Sequence, residues 1–420
     1  MKGRKAMILK RQAALWAGVA AALALSAGIA AAGEIVWWTP NWGEARAREL
    51  AQKFEAANPG VTVKLEVTVS DGLPTRILTA LKSGAPPDLI EAQHGWVAPY
   101  AQQGLVLSLD DVMAKLDVKD FIPAAVGYDT WNGKLWGIPY RIETHGVIYN
   151  KGMFKAAGLD PDKPPQTWPE LIAAAKKLTG KGAKGQDQYG FAITGGGEVG
   201  NTLFRSLPFI WMNGGSIISD DMKKATVNAP EAVAAVKFYT DMLTDLGVSP
   251  PSTLQNDGTA NRRLFIAETV AMYQSGQFDI GSIRKENPGI DIGVMPIPHP
   301  EGKDTAAVLG GWSFVIPKDT KNPDETRKFV AFLADSNNMG FFTDTFPARI
   351  SAMSLPRFGD PILVPFKAML PYGRPVPGQK NWVQIVQAYF DNIQQILSKE
   401  VSAQEGMDNA ASDIQALLDQ

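Results

Sequence analysis

The segment from Glu34 to Ile90 switches repeatedly between two periodicities, and that switching limits the fold more than any other feature of the chain. Glu34 to Thr39 (EIVWWT) reads as a short strand, followed by a turn at Pro40-Asn41-Trp42-Gly43. Glu44 to Ala57 has helical period, with Ala47, Leu50, Ala51 and Phe54 on one side, and Asn58-Pro59-Gly60 stops it. Val61 to Val69 alternates as a strand, Leu73 to Ser83 reads as a helix ended by Gly84, and Asp88-Leu89-Ile90 as a short strand after Pro86-Pro87. Strand, helix, strand, helix, strand predicts an α/β lobe with a mainly parallel sheet, because parallel neighbours need a crossover between them.

One such lobe does not use up 420 residues, and two lobes of ordinary size fit the length better. A second unit is expected from Met153 to about Asp291, with helices at Trp168 to Leu178 and Ala229 to Leu246 and with Thr167 as an N-cap. Glycine-rich stretches at 180–185 and 195–200 read as loops. Strand character returns at Ile290 to Pro298 and Ala307 to Pro317, Asp324 to Ala334 reads as a helix, and the chain beyond about residue 350 is mostly helical.

The N-terminus reads as a targeting segment. Lys2, Arg4, Lys5, Lys10 and Arg11 precede an apolar run from Ala13 to Ile29, and Ala30-Ala31-Ala32 offers a cleavage site before Gly33. Losing those cations leaves an exported mature chain more acidic than the formal −2 of the whole and a poor match for nucleic acid. With no cysteine there is no disulfide, no thiolate catalysis, no thiolate metal site and no lipidated N-terminal cysteine.

Catalytic motifs are scarce. Gly195-Gly-Gly-Glu-Val-Gly200 matches G-x-G-x-x-G but does not lie at the start of a strand-led α/β unit, so a loop at a helix N-terminus is the better reading. The three histidines, His94, His145 and His299, are too far apart in sequence to predict a metal site, and no cofactor is expected. Aromatics carry the stronger signal. Trp37, Trp38, Trp42, Trp96 and Trp312 sit beside glycine or proline or at strand ends, where ligands bind in open α/β sheets and where a flat ring can stack on a sugar. Gly310-Gly311-Trp312 combines backbone that permits close approach with a large ring. Tyr140 to Lys151 (YRIETHGVIYNK) places Arg141, Glu143 and His145 two residues apart, on one face of an extended strand. That face could be a catalytic set, a salt bridge or the polar wall of a pocket.

Several stretches are similar to one family: "KFEAANPGVTV" (Lys53 to Val63), "SGAPPDLI" (Ser83 to Ile90), "YAQQGLVLSLDD" (Tyr100 to Asp111), "WNGKLWGIPYRIETHGVIYNKGMFKAAGL" (Trp131 to Leu159), "QTWPEL" (Gln166 to Leu171), "AMYQSGQF" (Ala271 to Phe278) and "FPARIS" (Phe346 to Ser351). Over nearly the whole mature chain the sequence resembles family 1 extracellular solute-binding proteins, the maltose-binding-protein-like components of ABC sugar importers. The resemblance implies a two-lobed fold with ligand in the cleft: residues 33–142 plus 297–345 in the N-terminal lobe, 147–291 plus 350–420 in the C-terminal lobe, and crossings near 142–147, 291–297 and 345–350.

It also implies a ligand set. Glu143 falls where maltose binders carry a carboxylate that accepts sugar hydroxyls; Arg141 would orient it and His145 would bond a further hydroxyl. A structural Arg141–Glu143 bridge is the competing reading. Gln93 and His94 lie in a contact loop, where the maltose binders' Asp-Arg pair is replaced by Gly95-Trp96, which speaks against maltose. Phe278 falls on a stacking tryptophan, and Asn41 and Trp42 on another usual contact loop. Thr202, with Asn201 and Arg205, belongs to a second-lobe loop; Gly311, Trp312, Arg349 and Arg374 complete the set. The implied protein is a monomer without catalysis that binds a mono- or small oligosaccharide or a sugar derivative and docks on a membrane permease. Arg141, Arg205, Arg349 and Arg374 permit an anionic sugar. A secreted glycoside hydrolase or lyase, needing two carboxylates across a cleft, and a binder of polyamines or glycerophosphodiesters are the alternatives.

Overall fold

Strands β1 (Glu34–Pro40) and β2 (Thr62–Thr68) pair in parallel along their whole length, Glu34 opposite Thr62 and Pro40 opposite Thr68. The helix Glu44–Ala57 makes the crossover and buries Ala47, Leu50, Ala51 and Phe54, the stripe its period predicts. β3 (Leu89–Gln93) joins the other side of β1, again in parallel. The structure, a computed structural model, describes residues 33–69 and 72–420, so the expected targeting segment 1–32 lies outside the described residues.

Six further strands complete two sheets: β4 (Ile138–Glu143), β5 (His145–Asn150), β6 (Met272–Gly276), β7 (Ile292–Met295), β8 (Gly310–Val315) and β9 (Phe346–Pro347). The first sheet runs β9-β4-β8-β3-β1-β2 and the second β6-β5-β7. The two-lobed α/β architecture follows, but the expectation of mainly parallel sheets is corrected. β8 is antiparallel to both β3 and β4, β9 to β4, and both pairings of the second sheet are antiparallel. The physical reason is the route of the chain. The β1–β2 and β2–β3 links are helical crossovers over the sheet, whereas β8 comes back from the second lobe and enters from the cleft end, which reverses its direction.

β4 passes into β5 through Thr144 alone, whose hydroxyl donates to the Phe366 carbonyl at 2.8 Å. The second crossing, expected near 291–297, overlaps β7, a strand of the second sheet. A bridge between Thr167 and His299 holds the following residues there too, and the chain rejoins the first sheet only at Gly310. The third, expected near 345–350, overlaps β9 of the first sheet. Beyond it Arg357 still donates to the Gly340 and Phe341 carbonyls, and only the helix Val364–Met369 packs on β5 and β7.

The first lobe's core is built around Trp37, fully buried, with the rings of Phe329 and Phe342 at 5.3 and 5.6 Å. Burying a ring of this size stabilises by roughly 3 kcal/mol, and it removes Trp37 from the candidate ligand contacts. Trp38 faces away, its Nε1 donating to Glu66 and its ring under Arg76. In the second lobe Thr167 caps its helix as expected, in a reciprocal capping box with Glu170. Helices Trp382–Leu397 and Ala403–Leu418 pack on each other, and Tyr389 donates to Ser206, which fixes the helix Val199–Met212 in place.

Candidate ligand cleft at the junction of the two sheets

Register across the first sheet brings Gln93, Trp312 and Arg141 into one row, with Pro347 beyond, and sets Glu143 opposite Gly310. Arg141 and Glu143 therefore share a face, as the alternation predicts. A register irregularity between Trp312 and Ser313 lets the neighbouring Tyr140 lie stacked on Phe314 at 4.4 Å. His145 does not continue that face on the same strand: the break at Thr144 makes it the first residue of β5, on the second-lobe side.

The Arg141 guanidinium is buried and holds two carboxylates, Glu143 at 2.5 Å and Asp344 at 3.0 Å. Burial alone would favour its neutral form; Asp344 and Glu143 outweigh it and keep the charge. Trp42, from the turn Asn41–Gly43, lies 5.8 Å under the guanidinium and 5.0 Å from Trp312, and Trp96 is 5.5 Å from Trp312 on another side. The result is an aromatic wall around a charged pair. Asn41 is exposed at its edge.

Across from this wall stands the helix Val199–Met212. Phe204, which the sequence reading missed, lines a small cavity with Gln93, Tyr128, Glu143, Leu309 and Gly310. That cavity has a volume of only about 20 Å³, room for one water. Ligand-sized pockets need on the order of 300 Å³ or more, so this arrangement of the lobes leaves no room for a small-molecule ligand. Thr202 lies on the same helix, fully buried. Phe278 is half-buried, its ring 6.0 Å from His145. Burial, aided by the nearby charge of Arg205, pushes His145 well below the usual histidine range. It is therefore neutral near pH 7 and presents one donor and one acceptor, suited to a hydroxyl.

Three expected contacts are tied up within the protein: His94 and Gly311 line the same small cavity but are engaged internally, and Arg349 is held by an acid. His94 is buried in a network of its own: Nδ1 meets Ser313 Oγ at 2.8 Å and Asp129 Oδ1 at 3.3 Å, and Nε2 faces the Arg141 carbonyl at 3.2 Å. Ser, His and Asp are thus assembled, but both Ser313 and Asp129 engage the same nitrogen and all three are buried, so no nucleophile is presented. Gly311 has φ +152, and a Cβ there would come within 2.3 Å of both the Arg141 carbonyl and His94 Nε2. Its glycine serves that internal approach rather than a ligand. Arg349 donates to Asp120 Oδ2 at 2.7 Å and to the Ala334 carbonyl at 2.9 Å, away from the cleft wall. Replacing Arg349 with alanine is expected to lower the melting temperature without changing ligand affinity; an affinity loss by calorimetry in the folded variant would restore it to the site. Arg374 is an exposed rim residue, 5.9 Å over the Trp211 ring and tied to the cleft by Leu309, whose N–H donates to its carbonyl.

Asp344 was not legible because its partner Arg141 is remote in sequence, and Phe204 because a phenylalanine on a helix reads as core. Among the described residues no cluster of metal-ligating side chains occurs. Residues 40–339 match the family of bacterial extracellular solute-binding proteins. The chain belongs to that family. A binding protein of Brucella abortus is 28% identical over 376 residues, covering 88% of this chain and 89% of the relative. The sn-glycerol-3-phosphate-binding periplasmic protein of Escherichia coli is 28% identical over 342 residues, 76% of this chain and 74% of that one. The structure of an ABC transporter solute-binding protein of Thermotoga lettingae, bound with α-D-tagatose, superposes with a TM-score of 0.84 at 26% identity, covering 92% of this chain and 100% of that one. Relatives of this family are solute-binding proteins rather than enzymes, and no helix among the described residues is long and apolar enough to cross a membrane.

Proposed function

We propose that this protein is the periplasmic carbohydrate-binding component of an ABC importer, carrying a mono- or small oligosaccharide or a sugar derivative as a monomer to a membrane permease. The observation that carries the reading is the cleft wall itself: Trp42, Trp96 and Trp312 around the Arg141–Glu143 pair, facing Phe204 and His145 across the junction of the sheets. Flat rings cover the apolar face of a sugar, while an ionised carboxylate accepts strong bonds from its hydroxyls. Membership of the solute-binding family and the likeness to a tagatose-bound relative support the same reading.

The small cavity gives the mechanism its order. Opening at Thr144 and the two later crossings admits the solute; closure brings Phe204, Thr202 and His145 onto it while Glu143 holds it from the first lobe. A solute that contacts both lobes favours the closed state by its differential affinity for the two, and the permease then reads that state. In this reading Phe278 contacts a ring from the second lobe and Arg374 closes the rim.

Glu143→Ala is expected to weaken binding of the cognate solute by about 2 kcal/mol, roughly thirtyfold in Kd, because a charge-assisted hydrogen bond is lost. Calorimetry on a solute found by thermal-shift screening of sugars, polyols, sugar acids and polyol phosphates measures this. An unchanged Kd would reduce Glu143 to a structural partner of Arg141.

A further inference from the structure

The buried and half-buried arginines among the described residues are held by acids, with one exception. Arg141 holds Glu143 and Asp344, Arg262 holds Asp279, and Arg349 holds Asp120. Arg205 is only 5% exposed, and its hydrogen bonds go to neutral oxygens: Nε to the Gln274 carbonyl at 3.2 Å, Nη1 to the Asn201 carbonyl at 3.1 Å and to Asn201 Oδ1 at 3.0 Å. Among the described residues it makes no ion pair. A buried cation without a counter-charge is costly, and chains keep one where something else supplies the anion.

The surroundings of Arg205 are unfinished in the same way. Thr202 lies one turn before it on the same helix face, fully buried, and its Oγ1 has no hydrogen-bond partner. Gln274 is 3% exposed, and both polar atoms of its side-chain amide are without partners. His145 is 6% exposed and shares a face of the second sheet with Gln274, since Gln274 stands opposite Val147 and Gly276 opposite His145. Burial first and the Arg205 charge second hold His145 neutral, which places the guanidinium within electrostatic reach of the ring. Buried polar atoms are almost always paired, so several orphans gathered round one unneutralised cation point to a missing group. Phe204, on the same helix as Arg205, lines the cleft cavity with Glu143, and His145 opens its strand one residue past the Thr144 crossing, so the cluster lies in the second lobe beside that crossing.

We propose that Arg205, Thr202, Gln274 and His145 form a subsite for an oxyanion, so that the solute is an acidic sugar derivative bearing a carboxylate or a phosphate. The proposal rests on the carbohydrate reading and deepens it. The guanidinium supplies charge and directional donors. The Thr202 hydroxyl and the Gln274 amide N–H add donors to the same group, and neutral His145 adds one more. The Glu143 side of the cleft would be left for the hydroxyls.

The test is a matched panel at constant ionic strength: glucose and galactose, their uronates, glucose 6-phosphate, and inorganic phosphate alone, by thermal shift and calorimetry. An acidic derivative is expected to bind at least thirtyfold tighter than its neutral parent, uronate or phosphate ester distinguishing the two sources of charge. Arg205→Gln is expected to erase that preference, bringing acid and parent to similar affinity. Thr202→Val keeps the guanidinium and serves should Arg205→Gln fail to fold. It is expected to weaken the acid several-fold yet to raise the melting temperature of the ligand-free protein, since it removes a buried hydroxyl that has no partner. Equal affinity for acid and parent, or an undiminished preference in a folded Arg205→Gln, overturns the subsite and leaves the carbohydrate reading intact. Binding by no member of the panel overturns both.

Discussion

Glu91→Gln is expected to stabilise the protein by about 3 kcal/mol at pH 7.5 and to change it little at pH 4. Glu91 lies on β3, fully buried, with Tyr140 donating to its Oε2 at 2.6 Å and no partner for Oε1. Burial pushes its carboxyl up from 4.5 to about 7, against the opposing pull of Tyr140, Thr39, Arg141 and Trp37. The sign follows from where the proton sits. Between about pH 4.5 and pH 7 the folded chain holds a proton that the unfolded chain has released, so stability is full below pH 4.5 and is lost as pH rises through 7. Glutamine is neutral throughout and still accepts from Tyr140, while its N–H can meet Thr39 Oγ1, which has no other partner.

His145 titrates with the opposite sign and hides this effect in the wild type. Its folded form resists the proton, so stability is present above the usual histidine range and is lost as pH falls through it. The two slopes oppose each other between about pH 4.5 and pH 6.5, which flattens the wild-type profile there. The informative quantity is therefore the difference between Glu91→Gln and wild type at each pH, from urea unfolding, in which the His145 contribution cancels. A difference that stays constant from pH 4 to pH 7.5 would mean that Glu91 is charged in the folded protein.

The same contrast between local and distant partners explains what the sequence could tell. The helix Glu44–Ala57 and the Thr167 cap were legible because everything that forms them lies within a few residues. Arg141 and Glu143 were legible as a pair because strand alternation fixes their common face. The ion pair of Arg349 was not legible because its partner Asp120 lies 229 residues earlier, and an arginine without a visible partner looks available. The network around His94 was hidden for the same reason: Ser313 is 219 residues away. The bounds of the later crossings were not legible because β7 and β9 are short strands whose sheet membership depends on pairing, not on their own pattern. Arg205 is the informative converse. Its lack of an acid is a fact of three dimensions, and no spacing rule would have separated it from Arg349.

Asp88→Ala is expected to cost about 3 to 4 kcal/mol of stability. The aspartate of the sequence PDL is buried just ahead of β3, and one carboxylate ties together three parts of the first lobe. Oδ2 accepts from the Val36 N–H of β1 at 2.9 Å; Oδ1 accepts from Thr320 Oγ1 at 2.6 Å and from the N–H groups of Lys321 and Asn322 at 3.1 and 3.3 Å. Alanine strands these backbone donors where little water reaches, and each unpaired one carries a desolvation cost of about 1 to 3 kcal/mol before relaxation. Asp88→Asn keeps the shape but turns one acceptor into a donor facing N–H groups, so it should recover only part of the loss. Because two lobes can unfold separately, the measurement is the urea midpoint followed by fluorescence of the first-lobe tryptophans together with circular dichroism of the whole. A loss confined to the tryptophan-reported transition places the clamp where the structure has it. A loss under about 1 kcal/mol would show that water replaces the carboxylate, and that the turn at residues 320–322 holds to the sheet without it.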